Sequence, residues 1–112
     1  MKNTDTLKKN YEFKQILTNG NCFFGRYLCL YVIKENSYEN KLGIAVSKKT
    51  GNAVTRNKIK RWLRENYNEF EKNFIENYRI VLLWKKNIDI EKVDFWKIKN
   101  DMKSLFEKAG MI

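Results

Sequence analysis

The segment from residue 41 to residue 64 most constrains how this chain can fold, because it carries eight basic side chains and no acidic one. It supplies +8 of a formal net charge of +10, so the rest of the chain is nearly neutral. Self-repulsion opposes the folding of a compact protein with such an excess, so the charge is not there for stability. The natural partner of that segment is a polyanion.

Composition excludes several kinds of chemistry. The chain has no histidine, which removes Ser/His and Cys/His catalysis, imidazole metal sites and nuclease mechanisms with a histidine base. Cys22 and Cys29 match no CxxC pattern and are expected to be reduced thiols in a cytosol. No apolar stretch is long enough to span a bilayer, and the polar N-terminus is not a signal peptide. We therefore expect a cytoplasmic protein without membrane association and without a cofactor or metal of its own.

The length of 112 residues predicts one domain with one core over residues 1–112. Apolar spacing and capping residues predict helices over 10–18, 53–70 and 94–108, and strands over 22–34, 41–48 and 78–84. The predicted N-caps are Asn10, Asn52 or Thr55, and Asp94. The order is helix, two or three strands, helix, strand, helix. It predicts an α+β sandwich with the helices packed on one mixed sheet, and we expect residues 1–6 to be disordered.

In the strand over 41–48, large apolar residues alternate with Gly43, Ala45 and Ser47. The alternation places these three small residues on one side of the strand. We therefore expect a shallow, open face on that side of the sheet.

The helix over 53–70 separates an apolar side from a basic side on a helical wheel. The basic side carries Arg56, Asn57, Lys58, Lys60, Arg61 and Arg64. Like charges four residues apart cost about a few tenths of a kcal/mol per pair, and no acid is interleaved to offset them. A bound anion as countercharge is favoured over the alternative, a solvated basic face without a specific partner. Gly51 allows a tight approach, and the amides of the helix N-terminus can also bind phosphate.

Aromatic residues provide a second candidate surface. Phe13, Tyr27 and Tyr31 would line a groove between the first helix and the exposed sheet face, where unpaired bases can stack on flat rings. Aromatic residues at helix and strand positions are as often core. Periodicity alone therefore leaves both interpretations open.

Residues 42–65, LGIAVSKKTGNAVTRNKIKRWLRE, closely resemble the signature of the bacterial ribonuclease P protein component. The match combines a strand, Ser-Lys-Lys, Gly-Asn-Ala-Val and an Arg-Asn-Arg-type helix motif in the same order. Leu7-Lys8-Lys9-Asn10 and Glu12-Phe13 precede it, and an apolar strand and a closing helix follow it. The resemblance therefore covers about residues 7–109.

The resemblance implies the protein subunit of a ribonucleoprotein that removes the 5′ leader from precursor tRNA, with the catalytic groups and Mg²⁺ on the RNA. It implies that the catalytic RNA is bound by Lys48, Lys49, Asn52, Arg56, Asn57, Lys58, Lys60, Arg61 and Arg64. It implies that the leader of precursor tRNA is bound by Lys9, Phe13, Lys14, Leu17, Arg26, Tyr31 and Ser47. It also implies no catalytic residue on this chain, no obligate protein partner and a left-handed β-α-β crossover, where the general rule gives a right-handed one.

Two residues depart from the family pattern. Lys58 stands where the family usually has arginine, which keeps the charge but loses the forked geometry. Leu17 stands where the family often has a second cleft aromatic, so it offers no ring for stacking.

Two other functions are alternatives to this one. A plain RNA-binding module of ribosomal or translation-factor type would share the basic helix and lack the leader groove. A protein nuclease would need acidic metal ligands, and the acids of this chain lie outside the basic segment.

Overall fold

The computed structural model describes residues 3–112, and these residues form a five-stranded sheet with three α-helices. The strands are β1 (Thr4–Thr6), β2 (Asn21–Phe24), β3 (Leu28–Lys34), β4 (Asn40–Ala45) and β5 (Tyr78–Trp84). The helices are α1 (Asn10–Asn19), α2 (Ala53–Glu71) and α3 (Phe95–Lys108), with short 3-10 helices at Lys48–Thr50 and Ile90–Lys92. The predicted α+β class is confirmed.

The strands lie in the order β1-β4-β5-β3-β2. β4 is parallel to both β1 and β5, whereas β3 is antiparallel to both β5 and β2. The sheet is therefore mixed, as predicted. Helix α2 connects the parallel neighbours β4 and β5, so seven of the eight basic residues of the segment 41–64 follow the end of β4.

The helices cover both faces of the sheet. Helices α2 and α3 pack on one face in the larger core, where Tyr67, Trp84 and Phe106 are fully buried. Helix α1 packs on the opposite face in a smaller cluster around Leu7, Ile16 and Val81. Each fully buried apolar side chain of this kind contributes about 1.5–3 kcal/mol relative to an exposed one. The smaller cluster therefore fixes α1 against the sheet.

Two of the predicted N-caps are confirmed. The Asn52 side chain accepts a hydrogen bond from the Thr55 N–H at 2.9 Å, and the Asp94 side chain accepts one from the Lys97 N–H at 2.8 Å. The prediction for α1 is wrong by one residue: the N-cap is Lys9, which makes no side-chain capping bond, and the helix begins at Asn10.

The expectation of disorder over residues 1–6 is wrong for Thr4–Thr6, which form β1 alongside β4. The Thr4 hydroxyl contacts the Tyr67 hydroxyl at 2.7 Å and donates to the Glu71 carboxylate at 2.6 Å. Three polar residues show no pattern of their own, so this strand depends on partners distant in sequence. The residues before Asn3 lie outside the described part of the chain.

The long strand predicted over 22–34 is two strands separated by a tight turn. The Gly25 N–H donates to the Leu28 carbonyl at 2.7 Å and closes the turn. The Asp101 carboxylate, on α3, accepts hydrogen bonds from the backbone N–H groups of Arg26, Tyr27 and Leu28 at 2.7, 2.8 and 3.0 Å. A Cβ at residue 25 would lie 2.6 Å from the carboxylate oxygens, so this position requires glycine.

Candidate nucleic-acid interface

Helix α2 turns its apolar residues inward and its basic residues outward. Ile59, Leu63 and Tyr67 are fully buried against the sheet and α3. On the other side, Asn57, Lys58, Arg61 and Arg64 are exposed, and Arg56 and Lys60 are half-buried. The predicted basic face is thus formed by residues that the core leaves free. We call it the α2 basic face.

Few of these charges are neutralised by neighbouring acids. Within the described part of the chain, Arg61 with Glu65 at 3.8 Å is the one ion pair on the α2 basic face. Both side chains are exposed, so this pair stabilises the helix little. The Lys58 ammonium lies over the Trp62 ring, 4.8 Å from its centroid. The face therefore keeps a strong positive potential toward solvent.

The segment before α2 adds two lysines and positions them by local capping. Lys48 and Lys49 are exposed in the short 3-10 helix, and the Ser47 hydroxyl accepts from the Lys49 N–H at 3.2 Å. The Arg56 guanidinium donates to the Gly51 carbonyl at 2.5 Å, which braces the turn that leads into α2. Ser47 and Arg56 therefore also have structural roles.

The face of the sheet that carries α1 shows two rows of residues in register across β2, β3, β5 and β4. The first row is Cys22, Tyr31, Val81 and Gly43. The second row is Phe24, Cys29, Leu83 and Ala45. Helix α1 packs on the first row, whereas the second row lies outside that cluster. The second row forms the floor of a shallow surface beside α1, which we call the cleft.

The open face expected over the small residues of β4 is closed at Gly43. A Cβ there would lie 2.6 Å from the Phe13 Cζ atom, so the Phe13 ring occupies the space that glycine leaves. Ala45 and Ser47 remain half-buried beyond the ring. The small residues of β4 thus leave space in which the Phe13 ring packs, at one end of the cleft.

Several predicted leader residues border this cleft. Phe13 is half-buried and Leu17 is exposed, and the two share one side of α1 because they are four residues apart. Tyr31 is half-buried in the first row, where the neighbouring Cys22 thiol raises the pKa of the Tyr31 hydroxyl.

The polar residues predicted to bind the leader are distributed around the cleft. Lys9 and Lys14 are exposed on or beside α1, and Ser47 lies two residues beyond β4. Arg26 is exposed in the β2–β3 turn, at the opposite side of the sheet.

Tyr27 does not line the cleft, and that prediction is wrong. Its ring stacks on Trp84 in the larger core, with centroids 6.3 Å apart and planes 14° from parallel. The reason is the turn at Gly25, which interrupts the strand alternation on which the prediction depended.

Of the residues that form the cleft floor, sequence reasoning placed only Ala45 on an open face and missed Phe24, Cys29 and Leu83. Cys29 is 6% exposed, and burial raises the pKa of its thiol although the Lys85 ammonium nearby opposes the shift. Phe24 is 67% exposed at the edge of the sheet. The signal that finds them is strand register, which a single sequence does not show.

In residues 3–112, no group of three carboxylate or cysteine side chains is placed to hold a metal ion. Over the same residues, no helix is long and apolar enough to cross a membrane.

An α+β fold with a largely unpaired basic helix on one face of its sheet and aromatic side chains on the other is typical of the class of nucleic-acid-binding proteins. The ribonuclease P family model matches residues 1–110. The ribonuclease P protein component of Fusobacterium nucleatum is 37% identical over 111 residues, covering 96% of this chain and 99% of that protein. That of Natranaerobius thermophilus is 35% identical over 107 residues, covering 96% of this chain and 91% of that protein.

Solved structures agree with this match. The RNase P protein of Thermotoga maritima, in complex with 1-(4-fluorophenyl)-2-thiourea, superposes with a TM-score of 0.84 at 29% identity, covering 91% of this chain and 97% of that one. A Staphylococcus aureus RNase P protein mutant with defective mRNA degradation activity gives a TM-score of 0.82 at 31% identity, covering 96% and 89%. The chain belongs to the ribonuclease P protein family and is the protein component of this tRNA-processing ribonuclease.

Proposed function

We propose that the protein binds the catalytic RNA of ribonuclease P through the α2 basic face and the 5′ leader of precursor tRNA through the cleft. The observation that carries this proposal is the presence of two distinct surfaces on opposite sides of one sheet. Helix α2 packs on one face and α1 on the other, and the loop from Ser47 to Lys49 lies between the end of β4 and the start of α2. One small protein can therefore hold two RNA molecules at once.

The surface proposed for the catalytic RNA is suited to phosphate groups. It consists of Lys48, Lys49, Asn52, Arg56, Asn57, Lys58, Lys60, Arg61 and Arg64. Arginine presents a fork of donors that matches phosphate oxygens, and each phosphate neutralised releases counterions. Binding is therefore expected to weaken steeply as salt rises. The Asn52 oxygen is used as the helix cap, which leaves its amide group free to donate.

The cleft is suited to a single strand. Stacking of an unpaired base on an aromatic ring contributes about 1–3 kcal/mol and requires no particular sequence. Phe13 and Tyr31 offer such rings, and Leu17 offers apolar contact without a π face. Lys9, Lys14 and Arg26 would attract the phosphates, and the Ser47 hydroxyl would donate to one of them.

The catalytic groups and the Mg²⁺ ions are proposed to lie on the RNA. The protein supplies positive charge where the precursor tRNA and the catalytic RNA, both polyanions, approach each other. This lowers their repulsion and hence the Mg²⁺ concentration that the assembled enzyme requires. We expect it to act in the bacterial cytoplasm without an obligate protein partner. Membership of the family disfavours the alternative of a ribosomal or translation-factor module.

Two substitutions separate the proposed surfaces. Phe13→Ala is expected to weaken binding of precursor tRNA to the assembled enzyme by at least fivefold and to leave mature tRNA unaffected, because only the precursor carries a leader. Arg61→Ala is expected to weaken binding of the protein to the catalytic RNA. Lys108→Ala, an exposed lysine at the end of α3, is the control for loss of charge alone.

The assays are titrations of labelled catalytic RNA and of the two tRNA forms. Equal losses for precursor and mature tRNA with Phe13→Ala would refute the leader assignment. An Arg61→Ala protein that binds the catalytic RNA as Lys108→Ala does would remove α2 from that interface.

A further inference from the structure

Phe24 is a large apolar side chain left in solvent at the end of the edge strand β2. It is 67% exposed, whereas Phe23 beside it turns to the other face and packs against the larger core. Strand alternation places Phe24 on the same face as Cys22 and Tyr31. The ring therefore faces the cleft and has no packing role that accounts for it.

The position of Phe24 is fixed by the turn that follows it. Gly25 closes the turn, and the Asp101 carboxylate binds three successive backbone N–H groups immediately after it. This clamp joins the end of β2 to α3. The ring thus lies on a rigid support, and a ligand would not have to order it on binding.

Phe24 ends the row that forms the cleft floor. Cys29, Leu83 and Ala45 follow it in register across β3, β5 and β4. The Phe13 ring lies over Gly43 on β4, and β4 is three strand spacings, about 14 Å, from β2. They stand at opposite ends of the floor and would contact different bases.

The charges around Phe24 favour an anionic strand. Arg26 follows it by two residues and is exposed, and Lys85 is half-buried close to Cys29. The acid that lies against Gly25, Asp101, is engaged by backbone N–H groups. Neither cation forms an ion pair among residues 3–112. An exposed ring flanked by free cations is the arrangement that holds single-stranded nucleic acid.

We propose that Phe24 is a second stacking position for an unpaired base of the 5′ leader, at the end of the cleft opposite Phe13. This inference rests on the proposed leader-binding function and extends it. The leader would cross the sheet from β4 to β2, with one base on each ring.

The test measures the affinity of the assembled enzyme for precursor tRNA that carries a leader of several nucleotides. Phe24→Ala is expected to weaken binding about fivefold or more, the equivalent of losing one stacked base. Phe24→Tyr keeps the π face and is expected to bind like the unchanged protein. Tyr38→Ala removes a ring that is 97% exposed in the β3–β4 loop and serves as the control, with no expected effect.

Shortening the leader gives a second, independent readout. A one-nucleotide leader cannot reach both rings, so at most one of Phe24→Ala and Phe13→Ala should then weaken binding. Mature tRNA should bind all variants equally.

The outcomes separate this inference from the function on which it rests. If Phe13→Ala weakens binding of the long-leader precursor and Phe24→Ala does not, the second stacking position is refuted and the cleft stands. If neither substitution has an effect, the leader-binding cleft itself is refuted. If Phe24→Ala weakens mature tRNA as much as precursor, the ring contacts another part of the complex and the proposal is overturned.

Discussion

Replacing Asp101 with asparagine is expected to loosen the turn between β2 and β3. One carboxylate oxygen accepts from the Arg26 N–H at 2.7 Å, and the other accepts from the Tyr27 and Leu28 N–H groups at 2.8 and 3.0 Å. Asparagine keeps one oxygen and presents an NH₂ group in place of the other. Whichever way the amide turns, one or two backbone donors then face a donor.

The size of the effect follows from the number of bonds lost. A hydrogen bond to a charged group contributes about 1.5–3 kcal/mol to stability. Asp101 is half-buried, so the lower part of that range applies, and losing one or two bonds costs about 2–3 kcal/mol. This is a large share of the roughly 5–15 kcal/mol by which a domain is stable. The melting temperature is expected to fall by about 10 °C.

The assay is urea unfolding followed by circular dichroism, with Asp89→Asn as the matched control. Asp89 caps a short 3-10 helix with a single bond to the Glu91 N–H at 3.0 Å, and asparagine caps a helix about as well as aspartate. The control should therefore unfold within about 0.5 kcal/mol of the unchanged protein. Equal unfolding free energies for the two variants would refute the reasoning about the carboxylate clamp.

Three further substitutions or reactions test other parts of the structure. Gly43→Ala places a Cβ 2.6 Å from the Phe13 Cζ atom, so it should destabilise the protein by about 1–3 kcal/mol. It should also reduce the affinity for precursor tRNA and leave the affinity for mature tRNA unchanged. An unchanged urea midpoint would contradict the packing of Phe13 on Gly43. Asn52→Ala removes the N-cap of α2 and should lower the free energy of unfolding, measured in a thermal melt, by about 1 kcal/mol. Asn52→Gly should lower it by only about a few tenths of a kcal/mol. An unchanged free energy of unfolding with alanine would argue against the cap. With Ellman's reagent, the exposed Cys22 should react quickly and the buried Cys29 slowly, because burial raises the pKa of the Cys29 thiol and so lowers its thiolate fraction at any given pH. Two equal rates would show that Cys29 is not protected.

The sequence predicted most of α2 and α3 and the central strand because their signals are local. Asn52 and Asp94 cap the helix that follows each of them, and the basic and apolar sides of α2 are separated as the helical wheel predicts. The apolar run over 78–84 is β5, which lies in the middle of the sheet. A pattern that depends only on neighbouring residues can be interpreted without the fold.

The remaining features depend on contacts between distant residues. Thr4–Thr6 form a strand because they pair with β4 and because Thr4 donates a hydrogen bond to Glu71. The three polar residues alone do not predict this strand. Tyr27 does not line the cleft because Asp101, on α3, fixes the turn between β2 and β3. The row that joins Phe24 to Cys29 exists only once the register of β2 and β3 is known. Local patterns carry no information on any of these pairings.

We propose that this protein assists an RNA catalyst and performs no chemistry itself. Cleavage of precursor tRNA at low Mg²⁺ tests it most directly, comparing a matched ribonuclease P RNA alone, the protein alone and the two together. Strong cleavage by the mixture, with little by either component alone, is the predicted result. Cleavage by the protein alone, or a mixture no faster than the RNA alone, would contradict the account.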